Sequence, residues 1–164
     1  MIRGIGVYVD GYPHVPAQSH VIPGEAFATD DIPALTGMWQ EAKAGGSDSY
    51  VWIGLRDPAR EEVERVASVF GLDALQIDDS LSIRQRANVY VTDERIFSVV
   101  KVLGYKEETS DVETAQIAVW VGPSYVVTVR IGGDVGDLRP LREELEKTPE
   151  RLALGPMAVL HGIL

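Results

Sequence analysis

Four apolar segments follow one another between residues 89 and 131, and they restrict the fold of this chain more than any other feature. Each is short and rich in β-branched and aromatic residues, and turns containing Asp, Glu, Gly or Pro separate them. This pattern predicts four consecutive antiparallel strands, a meander. The segments are 89–91, 96–103, 115–121 and 125–131.

Two earlier strands and several helices complete the prediction. Residues 50–55 are almost continuously apolar, which is typical of a strand buried on both faces, and residues 2–11 resemble a strand weakened by glycines. Asp57 is the predicted N-cap of a helix that has Pro58 at its first position, and Asp73 is the predicted cap of the next. Helical spacing of apolar residues predicts helices over 31–44, 58–70, 73–81, 137–147 and 156–164.

These elements predict an α/β fold. Pairing the strand at 50–55 with the meander gives a mixed, largely antiparallel sheet with helices packed on both faces, an α/β/α sandwich. We expect residues 1–164 to form a single domain. The helix over 156–164 is apolar almost all round and stops without a C-cap, so we expect the chain to be a fragment whose last helix continues.

The charge of the chain argues against polyanionic partners. Its 25 acidic and 15 basic residues give a net charge of −10, so we expect no nucleic acid as a partner. An acidic surface instead concentrates cations. Half of the excess of acidic over basic residues lies in residues 57–79, which contain seven acids and two arginines. A solvated helix face explains this stretch equally well.

The sequence offers little for catalysis. It has no cysteine, which excludes thiolate zinc sites and cysteine nucleophiles, and its three histidines have no metal-ligand spacing. The glycine-rich loop 132–136 lies between a strand and a helix, but Asp134 and Asp137 would repel a phosphate there. We therefore expect no enzyme and assign no catalytic residue.

Two adjacent acids, Asp78 and Asp79, are the unusual local feature. A helical projection places Asp78 on the apolar stripe with Ile77 and Leu81, and Asp79 on the flank. Asp78 then needs a hydrogen-bond partner, because a lone buried carboxylate is costly, whereas Asp79 is free to meet something outside the domain. The alternative is that Asp78 caps a neighbouring backbone and Asp79 is simply solvated.

Several ordered motifs resemble one family. They are residues 50–58 (YVWIGLRDP), 69–79 (VFGLDALQIDD), 85–86, 119–122 (VWVG) and 125–130 (YVVTVR), then the helix 137–147 and the Gly155-Pro156 helix start. This order is similar to the CorA-type magnesium transporters, over roughly residues 50–164. It departs from them at Arg84, where some relatives have His, and at Ala87, where many have Pro.

The resemblance implies a cytoplasmic N-terminal domain that senses metal and controls a pore. It implies a long helix and two membrane spans after the domain, a homopentamer of identical subunits at the cell membrane, and a Gly-Met-Asn signature at the pore mouth. The sequence of this chain contains neither the two membrane spans nor the Gly-Met-Asn signature. By the same resemblance, Asp79 binds a regulatory Mg²⁺ between neighbouring subunits and Asp78 contributes to a nearby site, although relatives often have Glu there.

Two other interpretations stay open. The chain could be a free-standing cytosolic ligand-binding or scaffold domain of the same fold. It could equally belong to a relative that transports zinc or cobalt, because the sequence contains no ion filter.

Overall fold

The computed structural model describes residues 2–14, 27–29 and 31–164, whose strands form one sheet in the middle of the molecule. The order across the sheet is β2-β1-β4-β8-β7-β6-β5, and β3 pairs with the other end of β1. These strands are β1 (Ile2–Val9), β2 (Tyr12–His14), β3 (Phe27–Thr29), β4 (Tyr50–Arg56), β5 (Asn88–Val91), β6 (Ile96–Lys106), β7 (Asp111–Gly122) and β8 (Tyr125–Gly132).

One pair of strands, β4 and β8, is parallel. Their register runs from Val51 opposite Tyr125 to Arg56 opposite Arg130. Every other strand pair of the described residues is antiparallel, including the meander from β5 to β8. The predicted mixed, largely antiparallel sheet and its meander are therefore confirmed.

Helices cover both faces of this sheet. Because successive side chains of a strand point to opposite faces, β4 contributes Val51 and Ile53 to one core and Tyr50 and Trp52 to the other. The first core lies under α1 (Ile32–Ala44), α2 (Arg60–Phe70) and α3 (Ala74–Leu81). The second lies under α4 (Arg139–Glu146), α5 (Pro149–Leu152) and α6 (Met157–Ile163), which confirms the α/β/α sandwich.

The helix boundaries confirm one predicted cap and contradict the other. Asp73 caps α3, since its Oδ1 accepts hydrogen bonds from the backbone N–H groups of Leu75 and Gln76. Asp57 does not cap α2, which begins at Arg60 with Ala59 in the N-cap position. Asp57 instead adopts a positive φ of 42°, and its carboxylate accepts a hydrogen bond from the N–H of Gly132 at 3.1 Å. The Asp57 carboxylate thus bonds to a backbone N–H 75 residues away in sequence instead of capping α2.

Two buried tyrosines lie side by side under the C-terminal helices. The ring centroids of Tyr8 and Tyr50 are 5.3 Å apart. The Tyr8 hydroxyl donates to Glu146 and accepts from Arg142, whereas the Tyr50 hydroxyl has no hydrogen-bond partner within the described residues. Burial raises the pKa of both phenols far above the ordinary value of 10.0.

This asymmetry predicts different effects of removing each hydroxyl. Tyr8→Phe lowers the free energy of unfolding by about 1–2 kcal/mol because two hydrogen bonds are lost, and Tyr50→Phe changes it by less than about 0.5 kcal/mol. Urea unfolding at neutral pH measures both. An equal loss of unfolding free energy in the two variants would contradict the assignment of the two hydrogen bonds to the Tyr8 hydroxyl.

The same pair predicts a loss of stability in alkali. The folded chain holds the Tyr8 and Tyr50 protons after the unfolded chain has released them, so the free energy of unfolding falls as the pH rises above about 10. Tyr50→Phe makes that fall shallower. Urea unfolding at a series of alkaline pH values measures the slope, and identical slopes in Tyr50→Phe and the parent chain would show that Tyr50 does not contribute.

Candidate metal site

The helix α3, which carries Asp78 and Asp79, is placed by its neighbours in the fold. Its eight residues are too few for a stable isolated helix, so contacts with the rest of the chain must fix its position. Gly71 ends α2 in a left-handed conformation, with φ 66°, and this turn directs the chain back toward the sheet. Ile77 and Ser80 of α3 are then buried against the sheet.

A fully buried glutamine of β7 fastens the end of α3. The Nε2 of Gln116 donates to the backbone oxygen of Asp79 at 3.0 Å and to that of Ser80 at 3.4 Å. These carbonyls belong to the last turn of the helix, where the N–H of the C-cap residue Ser82 also donates to the Asp79 oxygen at 3.4 Å. Gln116 therefore satisfies buried acceptors and fixes the backbone that carries Asp79.

Two further contacts complete the attachment. Lys101 of β6 donates from Nζ to the Oε1 of Gln116 and to the backbone oxygen of Ile83, and burial lowers the pKa of this lysine. Trp120 of β7 donates from its indole N–H to the Oε1 of Gln76 at 3.0 Å. The helix is thus held by polar contacts near both of its ends.

The predicted orientation of Asp78 is wrong. Its side chain is exposed, and its Oδ1 accepts a hydrogen bond from Arg60 of α2 at 2.5 Å. The helix is rolled so that Ser80 faces the core, and the Ser80 hydroxyl donates to the Ile77 carbonyl, so its burial leaves no donor unpaired. The sequence projection gave that place to Asp78 because it falls on one stripe with Ala74, Ile77 and Leu81, but Ala74 is exposed and Leu81 is only half-buried.

Asp79 lies on the flank of α3, as predicted, and is half-buried. Within the described ranges no side chain or backbone N–H donates to its carboxylate. Its backbone is fixed while its carboxylate oxygens stay available. That combination suits a ligand for a cation supplied from outside the domain.

The described residues do not hold a complete metal site by themselves. In those ranges no group of three or more His, Asp or Glu side chains comes together. Mg²⁺, however, is commonly held by one or two carboxylates and keeps several of its waters. The Asp79 carboxylate would supply one such oxygen ligand, and Asp78 is its neighbour on the same helix.

Three residues of this arrangement escaped the sequence analysis. Gln116 and Lys101 each interrupt an apolar strand, and a polar residue inside such a run was the signal that could have indicated a buried contact. Arg60 gave no comparable signal, because arginines are common on exposed helix faces.

Comparison with known proteins identifies the family. The family model of the CorA-like Mg²⁺ transporter proteins matches residues 47–160, most of the chain. The chain belongs to this family. The curated cobalt/magnesium transport protein CorA of Thermotoga maritima is 29% identical over 101 residues, which cover 60% of this chain and 28% of that protein. This chain therefore corresponds to a minor part of that relative's length.

Solved structures show the same fold. The soluble domain of CorA from Methanocaldococcus jannaschii superimposes with a TM-score of 0.55 at 16% identity, covering 70% of this chain and 45% of that one. Full-length CmaX superimposes with a TM-score of 0.56 at 12% identity, covering 99% of this chain and 43% of that one. The cytoplasmic domain of ZntB from Vibrio parahaemolyticus superimposes with a TM-score of 0.50 at 12% identity, covering 70% of this chain and 47% of that one. The predicted resemblance to a CorA soluble domain is confirmed.

The helices of the described residues are all too short or too polar to cross a membrane.

The attachment of α3 predicts a large effect of one buried substitution. Gln116→Leu keeps the size and burial but removes the donor for two carbonyls and the acceptor for Lys101, so the free energy of unfolding falls by about 2–3 kcal/mol. Urea unfolding measures this loss, and hydrogen exchange locates it in α3. The matched control Gln40→Leu, on an exposed position of α1, changes stability by less than about 0.5 kcal/mol. Equal effects of the two variants would contradict the anchoring role.

Proposed function

We propose that this chain is the cytoplasmic metal-sensing domain of a CorA-like magnesium transporter, and that Mg²⁺ binds at Asp79 between neighbouring subunits to close the pore. The observation that carries the proposal is the Asp79 carboxylate, which lacks a donor within the described ranges and stands on a helix fastened to the sheet. Membership of the family supplies the setting in which such a carboxylate has a use.

The chemistry of Asp79 favours a hard cation. Carboxylate oxygens suit Mg²⁺, and the chain contains no cysteine that would favour a soft metal. The relative from Thermotoga maritima is named as a cobalt/magnesium transport protein, which supports a divalent cation as cargo. Zinc or cobalt transport remains the alternative to magnesium transport within this proposal.

Charge explains how Mg²⁺ at this position controls assembly. The chain has a net charge of −10, so acidic surfaces of neighbouring subunits repel one another when no cation lies between them. A cation held by Asp79 of one subunit and by a carboxylate of the next replaces that repulsion by attraction. High cytosolic Mg²⁺ therefore favours the closed arrangement, and low Mg²⁺ releases it.

Asp78 has a secondary role in this scheme. Its ion pair with Arg60 is exposed, with side-chain exposures of 56% and 50%, and pairs of this kind contribute little free energy. A divalent cation can displace the guanidinium from Asp78 at small cost. Arg60 then acts as a weak competitor that holds Asp78 when Mg²⁺ is scarce.

The energies required are modest for a homopentamer. Shifting a two-state equilibrium from 1:99 to 99:1 takes about 5.5 kcal/mol of differential binding. Five interfaces that each contribute about 1 kcal/mol nearly reach that value. Single weak sites therefore suffice, provided that all five subunits close together.

The proposal predicts that Asp79→Asn in the full-length transporter weakens closure by Mg²⁺. The half-inhibitory internal Mg²⁺ concentration rises at least about threefold, because one ligand loses its charge while the helix keeps its contacts. Mg²⁺ influx into vesicles loaded with increasing internal Mg²⁺ measures this change. Unaltered inhibition would contradict the assignment of Asp79.

Two variants serve as matched comparisons in the same assay. Asp48→Asn removes one exposed carboxylate from the turn between α1 and β4, and the half-inhibitory concentration stays at the parent value. Arg60→Gln removes the competitor of Mg²⁺ at Asp78 and lowers that concentration. A shift in Asp48→Asn as large as in Asp79→Asn would point to a general charge effect instead of a site.

A further inference from the structure

The parallel strands β4 and β8 create a crevice that has no part in the proposed cation site. The chain leaves β4 toward α2 on one face of the sheet and leaves β8 toward α4 on the other. Neighbouring parallel strands whose connections diverge in this way open a gap at their carboxyl ends, where ligands of α/β proteins commonly bind. A cavity of about 460 Å³ lies at this point, a volume suited to a small molecule.

Glycines leave the space for this cavity. Gly54 of β4 pairs with Thr128 of β8, and Gly4 lies across from Gly54 on β1. A Cβ atom at Gly54 would project between the Thr128 hydroxyl, 3.5 Å away, and the Arg142 guanidinium, 3.7 Å away. Near Gly54 the crevice is therefore lined by backbone and the Thr128 hydroxyl, with Trp52 and arginine side chains around them.

The charge of the crevice is opposite to that of the whole chain. Four arginines and two acids line it, an excess of two positive charges in a chain whose net charge is −10. Converging guanidinium groups are what a bound oxyanion requires. The charged lining residues are Arg56, Arg130, Arg139, Arg142, Glu62 and Asp137.

Arg142 enters from α4 without a carboxylate partner in the described part of the chain. Its Nη1 donates to the Tyr8 hydroxyl at 3.1 Å, its Nη2 donates to the Gly4 carbonyl at 2.8 Å, and its guanidinium lies 4.1 Å above the Trp52 ring. These contacts orient the planar group but leave its charge uncompensated by a direct ion pair.

Arg130 enters from β8 and is buried, with 7% of its surface exposed. Its Nη1 donates to three backbone carbonyls of the following loop, and it has no ion pair with any described acid. A buried charge without a counter-charge is costly. The loop 132–136 directs the carbonyls of Gly133, Asp134 and Val135 toward this guanidinium.

The other two arginines lie at the rim and are paired. Arg56 contacts Asp134 at 2.8 Å, and Arg139 contacts Asp137 at 2.7 Å, a hydrogen bond that holds the pKa of Asp137 below its ordinary value. Both guanidinium groups are more than half exposed, so exchanging these partners for a ligand takes little free energy.

We propose that this crevice binds a small molecule carrying a phosphate group, held between Arg130 and Arg142 with Arg139 at the rim. A carboxylate has two oxygens and satisfies one planar guanidinium, whereas a tetrahedral phosphate presents oxygens to two guanidinium groups, here from β8 and α4. Within the described residues Arg130 and Arg142 have no direct ion pair, and their two positive charges match a dianion. This site is independent of the cation site proposed at Asp79.

Nuclear magnetic resonance of the tryptophan indoles tests the proposal with pyrophosphate as the probe and with EDTA to remove metal ions. Trp52 lines the crevice, whereas Trp39 and Trp120 belong to the opposite core and serve as internal references. Pyrophosphate in the millimolar range shifts the Trp52 indole N–H signal saturably and leaves the other two unchanged. Equal shifts of all three signals, or the same shift with sodium chloride at matched ionic strength, would overturn the proposal.

Variants and a second probe sharpen the test. Arg139→Gln, at an exposed position, and Arg142→Gln each weaken pyrophosphate binding about tenfold or more, the loss of one charge-assisted contact. The control Arg151→Gln removes an equal charge from an ion pair with Glu144 outside the crevice and leaves binding unchanged. Arg139→Gln keeps the test valid if Arg142→Gln fails to fold. Equal weakening in Arg151→Gln, or tighter binding of citrate than of pyrophosphate, would contradict a phosphate site.

Discussion

The parallel pairing of β4 with β8 is the constraint on which the rest of the structure depends. Parallel neighbours cannot be joined by a tight turn, so the chain between them must cross over, and it forms α2, α3 and the meander on the way. The crossover brings α3 against one face, where β6 and β7 fasten it. The same pairing leaves the arginine-lined crevice at the carboxyl ends, so both proposed sites follow from one strand contact.

Much of the fold could be predicted because it is encoded in local patterns. The apolar run at 50–55 and the four segments after residue 88 have the period and composition of strands, and β4 to β8 appear where these patterns place them. Gly71 marks the end of α2 because glycine readily adopts the left-handed conformation found there. Asp73 marks the start of α3 because its carboxylate accepts hydrogen bonds from free backbone N–H groups. The resemblance to CorA-type proteins rested on the same segments and is confirmed by the family match.

The site was less predictable because its geometry is set by contacts distant in sequence. The roll of α3 depends on Gln116, which lies 37 residues after the Asp79 carbonyl that it binds, so a helical projection alone placed Asp78 on the wrong side. Asp57 likewise bonds to Gly132 instead of capping α2. The crevice combines residues from β1, β4, β8 and α4, and no motif joins them in the sequence. Within the described residues no group of three or more His, Asp or Glu side chains comes together, so no local pattern identifies what Asp79 binds.

The central claim is that the Asp79 carboxylate, fixed by the buried contacts of α3, binds a divalent cation together with another subunit. Anomalous diffraction from crystals of the full-length protein containing Mn²⁺, a hard oxygen-seeking cation, tests it most directly. The account predicts an anomalous peak within about 2–2.5 Å of an Asp79 carboxylate oxygen, or about 4–5 Å through a retained water, with a carboxylate of the neighbouring subunit on its other side. Asp79 facing open solvent with no metal peak beside it would contradict the account.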